Sequence, residues 1–141
     1  MSTVRDQLLK AIANQDAAAF ESGLVSAYDA GLPNDLADLL ADALLMEWHT
    51  RHEDVASALQ KLRDPRSVGA LFEAALSRHG YLGYDEFFGL ARKCTWALAD
   101  IGTPEARERL QELASGQNAT IAAYARKRLD RWEQELHRKG R

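Results

Sequence analysis

A chain of 141 residues with 46% hydrophobic and 28% charged residues has the composition of one globular domain and not that of a disordered segment. The single cysteine, Cys94, excludes an intramolecular disulfide, and no apolar run approaches the roughly 20 residues that cross a bilayer. The first residues lack the basic and apolar segments of a secretory signal, so we expect a cytoplasmic protein without membrane contact.

Charge is distributed unevenly along the chain. Residues 1–64 contain five Lys/Arg and eleven Asp/Glu, a net charge of −6, whereas residues 65–141 contain thirteen and ten, a net charge of +3. An acidic half disfavours phosphate backbones and suits a basic partner, although solvated helix faces would give the same pattern. We therefore expect a protein partner, for which a basic domain fits best, and no nucleic acid.

Apolar residues recur with helical spacing through nearly the whole chain, and no segment alternates with period two, which predicts an all-α fold. The predicted helices cover, in chain order, residues 3–14, 17–30, 34–49, 53–63, 65–79, 86–101, 104–115 and 119–138. Most of them end at a glycine or before a proline, and the connections are short. Short connections favour packed helical hairpins within a single domain.

The segment ALADIGTPEARERL predicts a helix, a tight turn and a second helix, because Gly102 can end a helix, Thr103 can cap the next one and Pro104 suits its first position. The pattern recurs 39 residues upstream, where LRDPRSVGALFEAAL aligns with IGTPEARERLQELAS and Pro65 stands opposite Pro104. A weaker copy begins at Pro33. Since one hairpin cannot bury its apolar face alone, we predict a short α-solenoid of stacked antiparallel helix pairs.

The segment ARKCTWALADIGTPEARERLQELA resembles a HEAT repeat of the bacterial, phycobilisome-lyase-like type. The resemblance is strong over residues 53–130 and moderate over residues 33–52. We therefore interpret residues 1–141 as a single HEAT-like domain in which residues 33–141 hold the recognisable repeats and residues 1–32 form N-terminal capping helices. The segment LLMEWHTRHEDVASALQKLRDPRSVGALFEAAL is also similar to small bacterial HEAT-repeat proteins that act as immunity proteins beside secreted toxins.

This resemblance implies a non-catalytic protein-binding module, and in its sharpest form an immunity protein that neutralises a bacterial toxin by stoichiometric binding. An assembly or scaffold adaptor would use the same features, so that alternative stays open. A HEAT-like enzyme, such as a lyase or a DNA glycosylase, is the third alternative, but the sequence contains no evident tetrapyrrole pocket or basic groove. We predict no enzymatic activity, no cofactor and no metal.

Two sequence features raise the question of chemistry. The segment EWHTRHED places Glu47, His49 and His52 close together, but their spacing matches no established set of metal ligands. We therefore favour a polar turn whose histidines form local hydrogen bonds. Cys94 falls within a helical apolar pattern, which is typical of a small buried hydrophobic residue and not of a catalytic thiol.

Carboxylates recur along the predicted helix 34–49. Asp35, Asp38 and Asp42 follow one another at steps of three and four, and Glu47 continues the series, so we expect these residues to form an acidic ridge on one helix. The acidic ridge either faces solvent or docks a basic partner. Trp48, beside it, is either a packing residue or an interface anchor.

The segment HGYLGYDEFFGL predicts the longest loop of the chain, with aromatic residues around two glycines. Loops on a rigid scaffold often carry binding residues, although the aromatic residues could instead cover the core. If the helices stack in order, this loop and the acidic ridge could border one groove. The candidate partner-binding residues are Asp35, Asp38, Asp42, Glu47, Trp48, Tyr81 and Tyr84.

Overall fold

The computed structural model describes residues 3–77 and 88–138, and within these ranges it contains helices and turns but no strand. This confirms the predicted all-α class. No helix in the described ranges has the length and apolar character needed to cross a bilayer. The helices are α1 (Val4–Ala13), α2 (Ala17–Asp29), α3 (Ala37–Leu44), α4 (His52–Leu62), α5 (Val68–Ala75), α6 (Phe88–Ile101), α7 (Pro104–Ala114), α8 (Ala119–Asp130) and α9 (Trp132–Arg138).

The turn between α6 and α7 has the conformation that the sequence predicts. Gly102 adopts a φ of 70°, in the left-handed region that glycine tolerates best. The Thr103 hydroxyl accepts a hydrogen bond from the backbone N–H of Ala106 at 3.1 Å, and Pro104 opens α7. One repeat earlier, Pro65 likewise opens a one-turn 3-10 helix that leads into α5.

The helices form two packed rows. In one row α3 contacts α5 and α5 contacts α7, and in the other row α4 contacts α6 and α6 contacts α8. Between the rows, α3 packs on α4, α5 on α6 and α7 on α8, and at the N-terminal end α1 packs on α2. This arrangement is the predicted solenoid of stacked helix pairs, with neighbouring pairs burying the faces that no pair buries alone.

The internal repeat marks equivalent positions in the core. Leu59 and Leu98, which are 39 residues apart, are both fully buried, and so are Leu71 and Leu110. Small residues share the pattern, since Val55 and its counterpart Cys94 are also fully buried. The sequence repeat is therefore a repeat of packing.

The prediction of one helix over residues 34–49 is wrong. Its first turn is a 3-10 helix, Asn34–Leu36, and α3 ends at Leu44. The end of α3 is followed by a turn in which two imidazole rings contact backbone oxygens: His49 Nε2 lies 2.7 Å from the carbonyl oxygen of Ala43, and His52 Nε2 lies 2.6 Å from that of Met46. If the helix continued, these carbonyl groups would accept hydrogen bonds from its own backbone N–H groups. The imidazole rings contact them instead.

The predicted helix 119–138 is also interrupted. It divides at Arg131 into α8 and α9. The Trp132 side chain is buried, and Glu135 in α9 forms an ion pair with Arg128 in α8. In a straight helix the neighbouring side chains are three or four positions apart, whereas Arg128 and Glu135 are seven positions apart. The break at Arg131 lets α9 fold back against α8.

Candidate functional site

The acidic ridge is only partly formed. Asp38 and Asp42 lie in α3 and are exposed, whereas Asp35 lies in the preceding 3-10 helix. Glu47 follows the end of α3, so its prediction as a further turn of the same helix is wrong. The ridge is therefore a short group of three carboxylates, and Glu47 belongs to the turn that follows.

Asp38 is engaged within the protein. The Arg5 guanidinium donates hydrogen bonds of 2.8 and 2.9 Å to its two carboxylate oxygens and another to the backbone oxygen of Asp35. The hydrogen bonds from Arg5 lower the pKa of Asp38 to about 2. An internal cation thus neutralises the centre of the ridge, which weakens it as an attractor for a basic partner.

Trp48 is half-buried and packs within an aromatic cluster. Its ring meets Phe20 edge to face with centroids 5.3 Å apart, and His49 stacks on His52 with centroids 4.2 Å apart. The indole Nε1 lies 3.3 Å from the sulfur of Met46. Glu47 and Trp48, which are adjacent in the sequence, also line one shallow depression. Asp35 and Asp42 do not line it.

The predicted aromatic loop falls on residues 78–87, and Tyr81 and Tyr84 therefore lie outside the described residues. Phe88, at the start of α6, is half-buried and packs against the core. For this residue the structure confirms the interpretation that the aromatic segment contributes to the core.

The histidines of EWHTRHED form the local hydrogen bonds that we expected. Besides contacting Ala43, the His49 ring accepts a hydrogen bond at Nδ1 from the backbone N–H of Arg51 at 3.0 Å. His52 is fully buried against the Met46 carbonyl. Across residues 3–77 and 88–138, no group of three or more His, Cys, Asp or Glu side chains is arranged to hold a metal ion.

Cys94 lies in the core with no exposed surface, and burial raises the pKa of its thiol well above the usual range. A thiol must ionise to act as a nucleophile, so both observations disfavour reactivity. The interpretation of Cys94 as a small buried hydrophobic residue is confirmed.

A groove that the sequence analysis missed runs between α2 and the start of α4. Five residues of α2 line it at helical spacing, and two residues at the start of α4 form the opposite wall. Its volume is about 270 Å³. We call it the α2/α4 groove, and it is lined by Glu21, Leu24, Val25, Tyr28, Asp29, Arg51 and Asp54.

The α2/α4 groove has an apolar floor and an acidic rim. Val25 is 58% exposed although it belongs to a helix that packs on α1, and Leu24 beside it is buried. The rim carries Glu21, Asp29 and Asp54 against the single cation Arg51. An exposed aliphatic residue bordered by carboxylates is a surface that can contact the stem and the charged end of a basic side chain together.

Internal contacts hold the walls of this groove. The Tyr28 hydroxyl donates a hydrogen bond of 2.9 Å to the backbone oxygen of Asp54, and the Lys61 ammonium lies 5.1 Å from the centre of the Tyr28 ring. Burial and the nearby Asp54 carboxylate raise the pKa of Tyr28. Arg51 forms an ion pair with Glu21 and lies 3.7 Å from the Asp54 carboxylate. The groove is thus largely preformed, and Asp29 is the exposed rim carboxylate that lies outside the ion pairs of Arg51.

The spacing of Glu21, Leu24, Val25, Tyr28 and Asp29 was visible in the sequence, since steps of three and four place residues on one helix face. The sequence also predicted a helix over residues 53–63, which is α4 to within one residue, but it did not show that α4 lies beside this face. Only the neighbouring helix turns the stripe into a groove.

The comparisons with known proteins agree with this architecture over one hairpin. The family model described as PBS lyase HEAT-like repeat matches residues 90–116, which cover most of α6, the Gly102 turn and α7. The chain carries a HEAT-like repeat. No curated protein matches the chain. No solved structure matches it either.

Proposed function

We propose that the chain is a non-catalytic protein-binding module and that the α2/α4 groove binds a basic segment of a partner protein. The observation that carries the proposal is the combination of exposed Val25 with the open carboxylate of Asp29 in a preformed groove. HEAT-like repeats supply a rigid extended surface, which suits protein interaction and requires no bound cofactor.

Charge favours a basic segment. The groove carries three carboxylates and one guanidinium, and residues 1–64 together have a net charge of −6. A lysine or arginine of the partner would lay its aliphatic stem over Val25 and direct its charge toward Asp29. The field of the acidic half would in addition accelerate the encounter with a basic surface.

The groups that sequence analysis considered for chemistry support a non-catalytic role. Cys94 is buried with a raised pKa, and the rings of His49 and His52 contact backbone atoms of the α3–α4 turn. A nucleophile and a general base need access to a substrate and to each other. These three side chains instead serve packing and the ending of α3.

An immunity protein that blocks a toxin by stoichiometric binding is the sharpest version of this proposal, and it comes from the resemblance stated above. A scaffold adaptor differs from it only in the partner. The neighbouring reading frames and a growth assay separate the two: an immunity protein should restore the growth of cells that express an adjacent toxin gene, and an adaptor should not.

The binding test uses three variants and a partner isolated by pull-down. We expect Asp29→Lys to slow association about tenfold and to reduce its salt dependence, because the removed carboxylate acts mainly on the encounter. We expect Val25→Ser to accelerate dissociation about fivefold through the loss of apolar contact. Surface plasmon resonance measures both rates, after circular dichroism has shown unchanged helicity.

The matched control is Asp42→Lys, which makes the same charge reversal on α3, outside the groove. Wild-type rates for Asp42→Lys together with impaired Asp29→Lys would support the α2/α4 groove. If Asp42→Lys is impaired and Asp29→Lys is not, the partner binds at the acidic ridge and the proposed groove is wrong. Unchanged rates in all three variants would also refute it.

A further inference from the structure

A second groove lies in the same row of helices, between α6 and α8. Each helix contributes three residues at the same spacing of three and then one: positions 92, 95 and 96 in α6, and positions 124, 127 and 128 in α8. Its volume is about 360 Å³. We call it the α6/α8 groove, and it is lined by Arg92, Thr95, Trp96, Tyr124, Lys127 and Arg128.

The floor of the α6/α8 groove is built around a buried guanidinium. Arg128 is only 3% exposed, forms an ion pair of 2.9 Å with Glu135 and stacks 3.5 Å from the centre of the Trp96 ring. Because Glu135 and Trp96 hold Arg128 from two directions, its position does not depend on a ligand. A fixed cation and a fixed aromatic ring reduce the entropy that a ligand loses on binding.

The walls of the groove are cationic. Arg92 and Lys127 are exposed on opposite helices, and Tyr124, on the same helix as Lys127, is half-buried. In the part of the chain that the structure describes, no carboxylate lines this groove. Even with Arg128 balanced by Glu135, two positive charges face the opening, and the aromatic rings and aliphatic stems offer apolar contact next to them.

We propose that the α6/α8 groove binds a short acidic segment of a protein. Its carboxylates would lie between the Arg92 and Lys127 side chains, and an apolar or aromatic neighbour in the segment would pack on Tyr124 and the edge of Trp96. A guanidinium group can donate two parallel hydrogen bonds to one carboxylate. Arg92 would therefore orient a carboxylate of the peptide as well as attract it.

The surroundings favour a short acidic peptide over a nucleic acid. The α2/α4 groove lies at the other end of the same helix row and has an acidic rim, so an extended polyanion following this row would meet repulsion. Arg128 covers one face of Trp96, so this ring offers at most its other face for base stacking. A segment with a few carboxylates fits between Arg92 and Lys127 without extending that far.

This inference is independent of the proposed function of the α2/α4 groove. The two grooves use different helices and opposite charges, and each can fail in an experiment without the other. Asp29→Lys is therefore a useful internal comparison, because it should leave binding at the α6/α8 groove unchanged.

The test measures fluorescence anisotropy of the full chain with a labelled glutamate-rich peptide that contains one tyrosine. We expect salt-dependent binding that weakens about tenfold in Arg92→Glu and again in Lys127→Glu. Lys10→Glu is the matched control, because Lys10 is an exposed cation in the last turn of α1, a helix that does not line the groove. It should change the affinity less than about twofold.

Heteronuclear NMR locates the site, and a labelled oligothymidine of equal charge tests the nucleic-acid alternative. Shifts of the Trp96 indole and Tyr124 amide signals on adding the peptide would support the α6/α8 groove. The proposal is overturned if the oligothymidine binds more tightly than the peptide, if Lys10→Glu weakens binding as much as Lys127→Glu, or if the wild-type chain leaves the peptide free.

Discussion

Arg5 in α1 binds both carboxylate oxygens of Asp38 in α3, with donor–acceptor distances of 2.8 and 2.9 Å. The two residues are 33 positions apart, so this contact fastens the N-terminal helix to the first hairpin of the repeat. It also neutralises the central charge of the acidic ridge, although the Asp38 side chain stays 46% exposed. One ion pair thus links α1 to α3 and disfavours that ridge as a docking surface.

The Arg5–Asp38 pair predicts a specific dependence of stability on pH. The pKa of Asp38 is lowered from 3.8 to about 2, mainly by its hydrogen bonds with Arg5, so the ionised carboxylate stabilises the folded state. This contribution is present above the unfolded pKa of 3.8 and is lost as the pH falls toward about 2. Because Asp38 is 46% exposed, we expect Asp38→Asn to lower the free energy of unfolding by about 1 kcal/mol or less near pH 7.

Urea unfolding at a series of pH values checks this prediction. The difference between wild type and Asp38→Asn should shrink as the pH is lowered through the window from 3.8 to about 2. Asp42→Asn, an exposed neighbour in the same helix, provides the control. A difference that stays constant across the window would show that the carboxylate is not held by Arg5.

The buried pair of Arg128 and Glu135 should matter more than a surface pair. Their side chains are 3% and 10% exposed, so Glu135→Gln takes the balancing charge from a desolvated guanidinium. We expect a loss of about 3 kcal/mol in the free energy of unfolding. Glu112→Gln, in the exposed pair with Arg109, should cost less than about 0.5 kcal/mol. Chemical denaturation measures the loss in both variants. Equal losses in Glu135→Gln and Glu112→Gln would contradict the burial of the Arg128–Glu135 pair.

Two glycines should respond to alanine with opposite signs. A Cβ at Gly23 would lie 2.6 Å from Cδ2 of Leu8, a fully buried side chain of α1, so Gly23→Ala should destabilise the α1–α2 pair by about 2 kcal/mol. A Cβ at Gly69 in α5 would meet no atom within 4 Å. Gly69→Ala should therefore stabilise the chain by about 0.5–1 kcal/mol. Thermal unfolding gives both signs, and a stabilising Gly23→Ala would disprove the close packing of α1 on α2.

Cys94 should be inert until the chain unfolds. With no exposed surface and a raised pKa, the thiol should react with a disulfide reagent only as fast as the core opens. We expect full labelling of Cys94 in urea and very slow labelling in buffer. In Gly23→Ala the labelling rate in buffer should rise only if the packing of α1 on α2 limits the opening of the core. Rapid labelling of the native protein would place Cys94 outside a closed core.

The helical class, the stacked pairs and the equivalence of the repeats could all be predicted from the amino-acid sequence. These features have local causes. Gly102 ends one helix, and Thr103 and Pro104 begin the next, independently of the surrounding structure. Apolar residues at helical spacing specify the buried face of each helix. The full burial of Leu59 and Leu98 shows that the spacing of 39 residues carried packing information.

The early ends of two helices and the grooves on the surface became visible only with the packing of the helices. α3 ends at Leu44, where the His49 ring contacts the Ala43 carbonyl of its last turn and the His52 ring contacts the Met46 carbonyl just beyond it. Each contact joins residues six positions apart, which local preferences do not predict. Arg5 meets Asp38, and α2 meets α4, because packing brings distant segments together. A charge or a groove depends on such neighbours, whereas a turn depends on its own few residues, so local sequence determines the scaffold and long-range packing determines the surfaces that bind.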